Sequence, residues 1–126
     1  MPINSPNWKC LNCADSLNCI VFGNVTFNNP YNRITTDGGK TWRTTYIDSN
    51  YYAKKVNDIA YPDTSLCIVV CDENYYLISK DKGETWCKKK INNMKMNLHN
   101  VHFYDKNNGV MQNDLITFIT SDGGKT

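Results

Sequence analysis

One seven-position pattern occurs three times in 126 residues and constrains this chain more than anything else in it. It reads Ser or Thr, then Asp two residues on, Gly two further and Thr two further again. The copies are Thr35, Asp37, Gly39 and Thr41; Ser79, Asp81, Gly83 and Thr85; and Thr120, Asp122, Gly124 and Thr126. Trp42 and Trp86 follow the first two copies directly. The acids are 44 and 41 residues apart. The residue after each acid differs (Gly38, Lys82, Gly123), so the second glycine position is the demanding one. Glycine takes a positive φ without steric penalty. An Asp two residues earlier can accept N–H bonds from the turn it opens. The tryptophan then supplies a large apolar plate.

A second set of matches lies upstream of each copy. "LNCADSLNC" (11–19), "IAYPDTSLC" (59–67) and "VHFYDKNNG" (101–109) align without a gap. Leu11, Ile59 and Val101 share one position, and Cys13, Tyr61 and Phe103 share another two residues on. That spacing puts both on one face of a strand. Asp15, Asp63 and Asp105 then open a turn. The next stretches are "CIVFG", "CIVVC" and "GVMQN". The first two are almost wholly apolar, which predicts a strand covered on both faces. A third strand ("YNRIT", "YYLIS", "LITFIT") runs into the Asp-Gly turn, and "TWRTTYI" and "TWCKKKI" begin a fourth. Four short strands every 40–45 residues is the period of a β-propeller blade.

At this point the stretches resemble the Asp-box, or BNR repeat, Ser/Thr-x-Asp-x-Gly-x-Thr-Trp. The resemblance extends over nearly the whole chain from about Trp8. It implies an all-β fold: a partial β-propeller of about two and a half four-stranded antiparallel blades, in units of about 8–50, 56–95 and 98–126. The third unit stops at Thr126, before its tryptophan and fourth strand, so a piece of a longer propeller is expected. In that family the box is a turn between a blade's third and fourth strands, away from the central binding face. The resemblance therefore makes the box residues, Trp42 and Trp86 included, structural rather than catalytic. The implied partners are the remaining blades of a longer chain or a second copy, and a protein or carbohydrate ligand.

Within the resemblance, the form "TTDGGKTW" with "VHFYDKNNG" upstream is most similar to non-enzymatic propellers, among them those like photosystem II assembly factors. Their implied role is a binding or scaffold module. The alternatives are a glycoside hydrolase, sialidase-like or xyloglucanase-like, and a sortilin-like receptor propeller. A sialidase needs an arginine triad, a Tyr–Glu pair and an Asp acid. This chain has two arginines, Arg33 and Arg43. Arg33 aligns with Leu77 and Phe118, as a strand position would.

Other residue types narrow the field. The net charge is +2, with 14 basic and 12 acidic residues scattered through the chain, so no basic stripe points to nucleic acid. Lys88, Lys89 and Lys90 read as a solvated strand end. No window approaches the ~18 apolar residues of a membrane span. "MPINSPNWKC" has no signal-peptide form. The localisation is open, and cytoplasmic if Met1 is the native start. The sequon Asn24-Val25-Thr26 matters only in a secreted protein. Cys10, Cys13 and Cys19 are too few for a zinc site, and no cofactor or metal is expected. The cysteines read as small buried core thiols, with a Cys10–Cys19 or Cys13–Cys19 disulfide open in an oxidising compartment. Cys67 and Cys71 share a strand face, and Cys87 is expected at the surface. His99 and His102 are expected on opposite faces of a strand. Tyr75 and Tyr76 read as packing residues, and Tyr51 and Tyr52, between blades, as a ligand surface.

Overall fold

The computed structural model describes residues 7–24, 30–44, 55–91 and 96–123. They form three antiparallel sheets. The first runs β1 (Asn7–Cys13), β2 (Cys19–Asn24), β3 (Pro30–Thr35). The second runs β4 (Val56–Asp63), β5 (Leu66–Cys71), β6 (Tyr75–Ser79), β7 (Cys87–Lys90). The third runs β8 (Asn100–Phe103), β9 (Gly109–Gln112), β10 (Thr117–Thr120). Each sheet is a meander whose strands pair in chain order.

The sheets stack face to face, and the side-chain period of two builds the stack. Along β5, Cys67, Val69 and Cys71 pack toward sheet 1 with Ile20, Phe22, Ile34, Ile59, Tyr61 and Leu77. The alternate residues, Leu66, Ile68 and Val70, pack toward sheet 3 with Val101, Phe103 and Met111. All six residues of β5 are buried, as an unbroken apolar run requires. A fully buried Val, Leu or Ile contributes about 1.5–3 kcal/mol. These two clusters therefore outweigh any single turn in holding the sheets together.

Polar groups join the sheets at their first strands. Asn12 Nδ2 donates to the Ile59 carbonyl at 3.2 Å, and Asn57 Nδ2 to the Leu98 carbonyl at 2.7 Å. The Val101 N–H donates to Asp58 Oδ2 at 3.0 Å. Thus β1, β4 and β8 run side by side through the stack, with sheet 1 bonded to sheet 2 and sheet 2 to sheet 3.

In sheet 1 the fourth strand expected over 41–47 begins, among the described residues, with one bridge: Ile34 and Arg43 exchange N–H···O bonds of 2.8 and 3.0 Å, and residues 45–47 lie outside those described. Two expectations need correction. Cys13 and Cys19 are not core thiols. They stand opposite each other at the end of the β1–β2 hairpin, Cα atoms 4.0 Å apart, and form a disulfide. Their side chains lie on the face of sheet 1 turned away from sheet 2, so the two sulfurs meet each other instead of the core. His99 precedes β8 instead of lying on it, and its Nε2 is 2.6 Å from Asp114 Oδ1.

Candidate functional site

The first two of the three repeated turns are each closed by a set of polar side-chain bonds, and the third is described in part. Each follows the third strand of its own sheet. In the first, the Thr35 hydroxyl donates to Asp37 Oδ1 at 2.8 Å and accepts the Gly39 N–H at 3.0 Å. The same Asp37 Oδ1 accepts the Thr41 N–H at 3.0 Å, and Oδ2 accepts the Thr41 hydroxyl at 2.6 Å. The Trp42 indole N–H closes the turn on the Gly39 carbonyl at 3.1 Å. The second turn repeats each bond. Ser79 donates to Asp81 at 2.8 Å and accepts from Gly83 at 2.9 Å. Asp81 accepts both the N–H and the hydroxyl of Thr85, and Trp86 donates to the Gly83 carbonyl at 2.9 Å. In the third, Thr120 donates to Asp122 at 2.7 Å. Gly124 and Thr126 lie outside the described residues, as do Tyr51 and Tyr52.

This bonding sets the electrostatics of the acids. The hydroxyl of Thr41, then its N–H and the Thr35 hydroxyl, hold the Asp37 carboxyl well below the usual range. At Asp81 partial burial pushes upward, but bonds from Thr85 and Ser79 outweigh it, and the net shift is downward. A carboxylate held ionised by its own turn is poorly placed as a proton donor at neutral pH.

The glycine requirement is wider than the sequence suggests. Gly39 and Gly83 have φ of +91° and +87°. The preceding position is also left-handed: +75° at Gly38, +64° at Lys82, +74° at Gly123. A lysine tolerates that region at a cost of about 1–2 kcal/mol. What selects glycine there is the neighbouring hairpin. Gly38 donates to the Leu17 carbonyl at 3.0 Å, and Gly123 to the Asn107 carbonyl at 2.9 Å. A Cβ on Gly123 would stand 2.8 Å from the Lys106 carbonyl oxygen. In sheet 2 the hairpin is one of two residues, Thr64 and Ser65, between the paired Asp63 and Leu66. There the position is Lys82.

Those hairpins hold a second repeated device. Asp15 Oδ1 accepts the N–H groups of Leu17 and Asn18 at 2.8 Å, and the Asn18 amide donates to both its oxygens. Asp105 does the same with Asn107 and Asn108. Aligning the three acids signalled this turn, but nothing in the pattern showed that the asparagine three residues on completes it.

The tryptophans face different surroundings. Trp86 meets Phe22 of sheet 1 edge-on, ring centroids 5.1 Å apart. At Gly83 the sheets come so close that an added Cβ would lie 2.9 Å from Ile34 Cγ2. Trp42 is 40% exposed. Arg33 is exposed, and Arg43 forms an ion pair with Glu84 of the second turn. The lysine run is exposed, with Lys88 and Lys90 ammonium groups 5.2 and 5.0 Å from the Tyr75 ring centre. Tyr75 and Tyr76 pack against the first and second clusters respectively. Burial pushes the Cys10 thiol up to about 12 and the Cys67 thiol well up, and Cys87 is exposed. Among the described residues no three His, Cys, Asp or Glu side chains are grouped to hold a metal, and no helix is long and apolar enough to cross a membrane.

The BNR/Asp-box repeat family matches residues 33–44, the first of the three turns. The chain carries the Asp-box, on part of a β-propeller. Two solved structures superpose on it. YCF48 bound to D1 peptide gives a TM-score of 0.82 at 16% identity, over 98% of this chain and 40% of that one. YCF48 from Cyanidioschyzon merolae gives 0.73 at 13% identity, over 99% and 40%. At these identities the likeness shows the fold. The Asp-box chain spans 40% of the length of both structures. No curated protein matches it significantly.

Proposed function

We propose that this chain is a piece of an Asp-box propeller that serves as a protein-binding scaffold, not as a catalyst. In this reading its blades span about 8–50, 56–95 and 98–126, and the box residues, from Thr35 to Thr126, finish each blade instead of touching ligand. The observation that carries the reading is the superposition on YCF48, a protein whose structure is of a complex with a D1 peptide. Support comes from the turns: the carboxylates of Asp37 and Asp81 are each engaged by hydroxyl and N–H donors of their own box. The three acids belong to three different sheets, which suits three finished edges better than one reactive centre. A rigid stack of sheets suits presentation of loops and edges to another polypeptide.

The test is a titration of the purified chain into labelled extended peptides, the D1 peptide among them, followed by fluorescence anisotropy. Saturable binding to a peptide, with no release of fluorophore from a fluorogenic sialoside, supports a scaffold. Turnover of the sialoside overturns it, and so does failure to bind any peptide of the panel.

A further inference from the structure

Sheet 2 shows all four strands of its unit among the described residues, and apolar clusters cover both its faces. Its outer strand, β7, is paired by β6 on one side and, among the described residues, by nothing on the other. All of β7 is exposed, and three of its residues are lysines. Because side chains alternate along a strand, Lys88 and Lys90 share one face and Lys89 stands on the other. Lys90 lies opposite Tyr75 in the register with β6, and Lys88 lies diagonally across. The Lys88 and Lys90 ammonium groups are 5.2 and 5.0 Å from the centre of that one ring. Tyr75 packs against the cluster between sheets 1 and 2, so a ring anchored on the core holds both cations at the rim. A lysine on an edge strand ordinarily keeps other strands away. Three in a row, two of them held to one ring, also offer a line of fixed positive charge to a strand of the opposite sign.

We propose that the outer edge of β7 binds an extended acidic polypeptide segment, which pairs antiparallel to β7 and sets Asp or Glu residues, two apart, opposite Lys88 and Lys90. Main-chain bonds along the edge supply affinity. Opposite charges directly across the two strands fix the register and choose the partner. A strand fits better than a broad anionic surface, because the lysines form one short line on a chain whose net charge is only +2 and whose acids are scattered. β7 completes its own sheet, so the edge belongs to the four-stranded unit itself. The inference deepens the scaffold reading, on which it rests, by giving the partner a chemistry and a place.

The probe is a fluorescein-labelled peptide, TEVETEVT, whose acids fall on one face of a strand. Its controls are TQVQTQVT, which is neutral, and TEPETEPT, which keeps the charge but cannot pair as a strand. The intact chain is titrated with each, and hydrogen-exchange mass spectrometry locates the contact. We expect saturable binding of the acidic peptide, about tenfold weaker binding of the neutral one, and loss of binding with the proline peptide. Binding should weaken as salt rises from about 0.05 M to about 0.5 M. New protection should be confined to the segment holding residues 87–90. In the chain, Lys88→Gln with Lys90→Gln should abolish the preference for acid over amide. The peptide controls on the unaltered chain decide the matter even if that variant fails to fold. Absence of binding overturns the proposal, because the lysines then only blunt the edge. Equal binding of the neutral or proline peptide, or protection elsewhere, overturns it too. So does protection of 87–90 in the free chain, because the edge is then already filled. Sedimentation with phosphatidylserine vesicles, without peptide binding, overturns it in favour of a membrane surface. If the D1 peptide binds and the acidic peptide does not, this edge is wrong and the scaffold reading stands.

Discussion

At the scale of single residues, the box is a closed set of donors and acceptors. Ser79 is 2% exposed, and its oxygen accepts the Gly83 N–H while its proton goes to Asp81. Ser79→Ala leaves a buried N–H without that acceptor, so we expect a loss of about 1–3 kcal/mol in urea unfolding. The same change at Ser65, exposed on its hairpin, is expected to cost less. The acids predict a pH dependence whose sign is fixed. Asp15, Asp37, Asp63, Asp81 and Asp105 all titrate below the ordinary value. The unfolded chain then binds more protons than the folded one, so these groups stabilise fully above about pH 4–5. That stabilisation fades as the pH falls through their lowered folded values. Melting temperature should be flat near neutral pH and drop steadily below about pH 4. A melting temperature that rises on acidification would contradict the bonding described for these turns.

At the scale of elements, much was legible because period-two patterns and turn residues report directly on strands. The run "CIVVC" predicted a strand buried on both faces, and β5 is one. The Asp-Gly pattern placed a turn after each third strand. What escaped the sequence depended on neighbours. The second left-handed position at Lys82 is invisible without the length of the facing hairpin. The Cys13–Cys19 bond is set by the register of β1 on β2, and composition left it among several states. The disulfide gives this scale its prediction. It closes a short hairpin, so reduction should lower unfolding free energy by about 2 kcal/mol on chain-entropy grounds. Reduction should leave sheets 2 and 3 unchanged in their exchange pattern. Equal loosening of all three sheets would show that the bond constrains more than its hairpin.

At the scale of the whole molecule, like sheets stack through two apolar clusters, and in sheets 1 and 2 the box acid bonds the turn that follows the third strand. Fold class followed from the repeat, because three copies of one unit at blade spacing leave few other architectures. The partner did not follow, because binding surfaces of such a stack are loops and edges, which the repeat does not constrain. Tyr51 and Tyr52, the surface the sequence favoured, lie outside the described residues. The central proposal is that Asp37 and Asp81 each tie one turn of one sheet and act independently. Residue-resolved amide exchange by NMR tests it most directly, comparing the chain with Asp37→Ala and Asp81→Ala. Each substitution should release the amides of its own turn, Gly39 and Thr41 or Gly83 and Thr85, and leave the other turn protected. If either substitution releases both turns, or neither, the acids are not independent ties and the account is wrong.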